Sequence, residues 1–299
     1  MTTATWTTGS LHGSDANFRT WGSEFAAQLA AVGLTQTADT GQVNWTTVTR
    51  PGASTDAGYE IWEFTDTQQS ASPSSPIFLK FYYGTGTGTT NPRIRVEVGT
   101  GSNGSGTLTG TGSGTVINGN HAYGAGTSTA TPSYMCHADG IFWYCWKNGS
   151  GHAGMFVVAR TCDADGDPDG DGIFIWSYGS INSNAAWIHN SRMVRLAATA
   201  AVVFSNLNSI TAYATSLVPG VISPSTLPSG DKQAYIVWTS NPDMRPIGSL
   251  AAVLNSELPV YTTFSTAMVG ATSHTFINLA YTGSLVSGSS SHGLALLWE

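Results

Sequence analysis

One periodic stretch near the start constrains the fold more than any other feature. Phe18, Trp21, Phe25, Leu29 and Val32 recur at i, i+3, i+7, i+11 and i+14, and so lie along one side of an α-helix. Ser14 or Asp15 stands where an N-cap belongs, and Gly33 stands at the C′ position that ends a helix in the left-handed region. The spacing predicts a helix over 17–32. A lone stripe of large apolar side chains must be buried against another layer. The rest of the chain offers mainly strands.

Tyr59–Phe64 and Ile77–Tyr83 are rich in β-formers, the latter with one Lys. Arg93–Val98 alternates, with Ile94, Val96 and Val98 facing inward. Turn-rich segments separate these three, which predicts a meander. Residues 101–130 are dominated by Gly, Ser, Thr and Asn and read as a linker, a surface loop or an irregular hairpin.

The densest aromatic run follows, Tyr134 to Trp146, with Asp139-Gly140 at its middle. Asp-Gly between β-rich flanks predicts a two-residue hairpin pairing Ala138 with Ile141, Cys136 with Trp143 and Tyr134 with Cys145. Both faces of this hairpin are apolar, so it needs cover on both sides. Phe142, Trp143, Tyr144 and Trp146 are the expected core or interface anchors.

Further strands are expected at 155–160 and 173–176, joined by an acidic loop, and at 234–238 and 294–298. The stretch 192–204 is ambiguous, and Pro246 favours a short helix within 247–254. The sum is an α+β fold, mostly β. It comprises antiparallel sheets, or a sandwich, with one N-terminal amphipathic helix packed on a sheet. Three regions are expected: a helix-plus-meander lobe over 1–100, the polar segment over 101–130, and a β-rich lobe over 131–299.

Charge excludes several partner classes. Only 10% of residues are charged, against about 25% in an average soluble domain. The 11 basic residues form no cluster for a phosphate backbone, so nucleic acid is not an expected partner. The longest apolar-like stretch, 196–204, is far short of the ~20 residues a membrane span needs. The N-terminus lacks a signal-peptide pattern, and three cysteines make no disulfide framework, so a chain made in a reducing cytosol is expected.

The acidic loop is the sharpest local motif. Asp163, Asp165, Asp167, Asp169 and Asp171 alternate with small residues and Pro168, as in the front half of a calcium loop. Position 12 should be a bidentate acid. It is Phe174, Trp176 or Tyr178 when the frame starts at Asp163, Asp165 or Asp167. A weak calcium site and a solvated turn both remain open. Without these five, thirteen acids face 11 bases, so the net charge of −7 resides mostly in this loop.

Enzymatic signatures are missing. Gly99–Gly104 fits G-x-G-x-x-G but is followed by more Gly and Thr instead of a helix, so it is no nucleotide fingerprint. There is no G-x-S-x-G, and the histidines lack zinc spacing. Glu60 and Glu63, three apart on a strand, fall on opposite faces, which is wrong for paired acid–base work. The chain is therefore not expected to be an enzyme or to need a cofactor beyond the calcium alternative. Its Trp and Tyr residues would suit core packing, interfaces or sugar stacking.

Several segments carry a family resemblance. Asn17–Phe25, Leu29, Gly33–Thr37 and Gln42–Trp45 are similar to the start of uncharacterised structural proteins of tailed bacteriophages. Gly58–Trp62, Val98–Ser102 and Val158–Gly166 are similar too, so the likeness spans roughly the first 175 residues. The resemblance implies a virion component of the tail tip, baseplate or fibre apparatus. Its partners would be copies of itself and neighbouring virion proteins. Alternatives are a capsid decoration protein and a carbohydrate-binding module that recognises host surface glycan.

Overall fold

The structure is a computed structural model. It describes residues 2–5, 8–10, 14–64, 76–85, 92–110, 117–119, 129–130, 133–137, 141–147, 153–162, 168–180, 187–196, 201–207, 232–235, 251–254, 263–267, 273–278 and 293–297. Side chains are described over 14–64, 76–85 and 94–110, and at Phe264 and Ser265.

Helix α1 runs Asp15–Ala31, close to the span its periodicity predicts. Ser14 is the N-cap, and its hydroxyl accepts the Asn17 N–H at 3.1 Å. This satisfies one of the four donors a helix start leaves open, a contact that contributes about 1 kcal/mol. Asp15 puts negative charge in the first turn, where the helix dipole favours it. Gly33 ends the helix at φ +100, a conformation that costs a side-chain-bearing residue energy.

The meander is present. Asp56–Glu63, Phe78–Thr85 and Pro92–Gly99, the first, central and third strands of the meander, are the three inner strands of a five-stranded antiparallel sheet. Thr35–Gln36 and Ile117–Gly119 are its short edges. The first strand's outer edge is occupied beyond that short partner. Thr37 N–H donates to the Ile61 carbonyl, Val43 N–H donates to the Tyr59 carbonyl, and the Gln42 side chain accepts the Ile61 N–H. An open edge invites pairing with another chain, and here the 37–43 segment stands in its place.

Glu60, Phe81 and Val96 are cross-strand partners, as are Trp62, Leu79 and Val98. These residues, with Tyr83 and Ile94, share a face and one core cluster with Phe18, Trp21, Phe25 and Leu29 of α1, apart from Glu60, whose carboxylate lies within it. Aromatic edges meet faces: Phe25 lies 5.5 Å from Phe81 and Trp21 lies 6.1 Å from Tyr83, both T-shaped.

A seven-stranded sheet orders Thr2–Thr5, Ser133–His137, Ile141–Lys147, Ala153–Cys162, Pro168–Ser180, Trp187–Leu196 and Ala201–Leu207. The aromatic hairpin is there, in a different register from the expected one. His137 pairs with Ile141, Met135 with Trp143 and Ser133 with Cys145. Three residues, not two, separate the last pair, and a three-residue connection containing Gly is the next common hairpin solution. Cys136 consequently pairs with Phe142, not Trp143. A one-residue slip of this kind exchanges the faces of one strand relative to the other.

A second five-stranded antiparallel sheet orders Lys232–Tyr235, Ala251–Leu254, Gly293–Leu297, Ser273–Asn278 and Thr263–Ala267. The helix expected within 247–254 is replaced at Ala251–Leu254 by a strand, because two neighbours there supply backbone partners on both edges. Contacts divide the chain into two compact units. One is Thr2–Arg160 with Gly170–Asn208, and the other is Thr161–Asp169 with Ser209–Glu299. Among the described residues no helix is long and apolar enough to cross a membrane.

Gly22 is a space requirement inside α1. A Cβ there would lie 2.0 Å from the Trp45 ring. Gly→Ala in a helix interior ordinarily gains up to about 1 kcal/mol. Gly22→Ala should instead destabilise by about 1–3 kcal/mol, the usual range for overpacking, measured by urea unfolding.

Candidate functional site

The described polar chemistry concentrates on the two faces of the N-terminal five-stranded sheet. On the helix-facing side stands Glu60, 2% exposed among aromatic rings. Trp45 Nε1 donates to its Oε1 at 2.8 Å, while Trp62 Nε1 (3.2 Å) and Tyr83 Oη (2.6 Å) donate to Oε2. All three donors are neutral. Burial pushes the Glu60 carboxyl above its ordinary value, and the three hydrogen bonds pull the other way without cancelling it. Both indoles can only donate, so they suit an acceptor at every oxygen.

On the other face, Lys80 is 8% exposed. Its Nζ donates to the Gly106 carbonyl at 2.5 Å and lies 4.1 Å and 4.5 Å from the ring centroids of Tyr59 and Tyr82. Burial pushes its ammonium below the usual lysine range, against the attraction of Glu97 and Asp39. Arg95 lies 4.3 Å over the same Tyr82 ring and pairs with Asp56. Tyr82 donates to Glu97 at 2.7 Å; burial, then that carboxylate, push its phenol up. Each charge here has an opposite charge, a ring face or a carbonyl, so the arrangement reads as a ladder that orders the strands.

Asp39, also 8% exposed, anchors the Gly101–Ser102 and Leu108–Thr109 ribbon beside this face. Its carboxylate accepts from Ser102 Oγ, from Thr37 Oγ1 at 2.6 Å and from Gly106 N–H at 2.9 Å. Burial acts to raise the Asp39 carboxyl, but the hydrogen bonds outweigh it and hold the group below its ordinary value. Gly106 is thus gripped at its N–H by Asp39 and at its carbonyl by Lys80. At φ +89, with Tyr59 Oη 1.9 Å from where a Cβ would stand, only Gly fits.

The expected site residues are spread differently. Phe142, Trp143, Tyr144 and Trp146 lie together on the interior strand Ile141–Lys147, paired with Val158, Val157, Phe156 and Gly154. Asp169 and Asp171 lie within the strand Pro168–Ser180, not in a loop. Asp163, Asp165 and Asp167 lie outside the described residues. Among the described residues no group of three acids, histidines or cysteines is placed to hold a metal.

Sequence reasoning missed the Glu60 network. The available signal was a Glu at the inward position between Gly58 and Trp62, beside a Tyr-rich and a Trp-rich segment. Comparison with family models, with curated proteins and with solved structures gives no match to this chain.

Glu60 and Asp39 should impose opposite pH dependences. Glu60 holds its proton more tightly folded than unfolded. Its contribution is therefore full below the ordinary carboxylate range and is lost as pH rises through its raised folded value. Asp39 does the reverse, contributing above the ordinary range and losing it as pH falls through its depressed value. Urea unfolding of wild type against Glu60→Gln and Asp39→Asn from pH 3 to 8 should show the two differences sloping in opposite directions.

Proposed function

We propose that this chain is a structural protein of a tailed-bacteriophage virion, a scaffold in the tail tip, baseplate or fibre apparatus. One observation carries the reading. Ile141–Lys147 is an interior strand, paired along both edges, and its sequence is apolar at both alternations. Such a strand needs apolar cover above and below. A β-sandwich supplies one layer and a neighbouring subunit another, so self-association or packing against other virion proteins follows. The family resemblance over the first part of the chain points the same way, as does a surface poor in charge. The site of action is then the virion, with synthesis in the host cytoplasm, and the role is assembly, not catalysis.

The carbohydrate-binding alternative gains nothing from the described aromatics on the Lys80 face of the sheet. Tyr59 and Tyr82 are tilted by 58° to one another, and Lys80 and Arg95 occupy their ring faces. Stacking on a sugar needs such a face free.

The test is the oligomeric state of the purified chain by light scattering across micromolar to hundred-micromolar concentration, with peptide mass spectrometry of purified particles. The expected result is a defined oligomer and peptides recovered from the virion. A strict monomer whose peptides are missing from particles contradicts the proposal.

A further inference from the structure

The three donors to Glu60 are unequal. Trp62 and Tyr83 belong to the sheet and are 3% and 0% exposed. Trp45 is half-buried and rides on the segment 44–50, which lies outside helix and sheet. This strap has little internal structure: a turn in which Thr47 and Val48 N–H donate to the Asn44 carbonyl, and the Asn44 side chain accepts from Thr46.

Hydrogen bonds tie the strap to α1. Arg19 Nε donates to the Val48 carbonyl at 2.6 Å and its Nη2 to Thr47 at 3.4 Å, and Arg50 N–H donates to Asp15 at 2.9 Å. The Trp45 ring fills the slot left by Gly22, 4.8 Å from Tyr83 and 5.8 Å from Phe18. Of the three rings that donate to Glu60 it is the one that is not wholly buried.

Among the described residues the elements around Glu60 bring no charge to it. The buried stripe of α1 is Phe18, Trp21, Gly22, Phe25 and Leu29, with Asp15, Arg19 and Glu24 off that stripe. The third strand contributes Ile94, Val96 and Val98, the central strand Leu79, Phe81 and Tyr83, and the first strand Trp62. Among the described residues Tyr83 is the one other titratable group on this face; its hydroxyl donates to the ionised carboxylate and, by turning, is the one partner that can accept the proton of the neutral acid. Among the described residues an ionised Glu60 therefore has neutral donors and no counter-charge. Water would supply the missing solvation, and lifting the half-buried Trp45 would admit it.

We propose that the 44–50 strap is a proton-governed latch, closed over neutral Glu60 and released when Glu60 ionises. The raised carboxyl of the closed state supports the direction. With the strap lifted and the carboxylate hydrated, the group returns toward its ordinary value. Each unit between the closed and open values shifts the closed-to-open ratio tenfold. Opening increases as pH rises through the Glu60 titration. It presents the Trp45 ring and the Gly22 slot to solvent while α1 and the sheet stay in place.

Hydrogen exchange on the full chain from pH 4.5 to 8, corrected for intrinsic rates, tests this at the Thr47, Val48 and Arg50 amides. Expected is a fall in protection of about tenfold or more in wild type, and of less than about twofold in Glu60→Gln, which cannot ionise. Central-strand amides should hold constant. Glu60→Met, also without charge, replaces the Gln variant if that one does not fold. Flat protection in wild type, the same fall in the uncharged variant, or a strap that opens only together with the central strand would each overturn the latch.

Discussion

A carboxylate sits in an aromatic core without a described counter-charge, and helix α1 and the N-terminal five-stranded sheet are arranged around that constraint. Glu60 is tolerated because Trp45, Trp62 and Tyr83 converge on it from three segments of the chain. A buried polar group without such partners costs several kcal/mol. Each donor also carries a large ring, so satisfying the carboxylate and filling the core are one operation. The Trp45 ring in turn requires Gly22, which explains a residue that otherwise weakens the middle of α1.

The opposite face of the same sheet meets a related problem in another way. Lys80 is nearly as enclosed, yet it has two aromatic faces, a carbonyl and nearby acids. Its neighbours Arg95, Asp56 and Glu97 pair among themselves or with Tyr82. Charge there is balanced by opposite charges, ring faces and a carbonyl. The Glu60 side is neutral in its donors and therefore responsive. The contrast locates adjustable structure in the strap, whereas the Gly106 loop is clamped at both ends of one residue.

Much of this helix and sheet was legible from residues alone. The helix stripe, its Ser14 cap and its Gly33 stop are local signals, and local geometry decided them. The meander was legible because Ile94, Val96 and Val98 alternate cleanly with Arg95 and Glu97. Glu60 was not, because Tyr59 and Ile61 on one parity look as core-like as Trp62 on the other. Only the approach of Trp45 and Tyr83, distant in sequence, makes a buried Glu sensible there. The aromatic hairpin was placed correctly but its register was not, since Asp-Gly serves both two- and three-residue connections. At 251–254, Pro246 suggested a helix where pairing with two strands prevailed.

An assembly role and a responsive strap are compatible. A scaffold that meets its neighbours through apolar surface benefits from a segment that can be closed or released without disturbing the sheet beneath. The account depends on desolvation outweighing the three hydrogen bonds at Glu60. Carbon-13 NMR titration of the Glu60 side-chain carboxyl in the folded chain measures that balance directly. The account predicts a midpoint above the ordinary value of 4.5. A midpoint at or below it would mean that the donors win, that ionisation tightens the strap, and that the latch runs in the opposite sense.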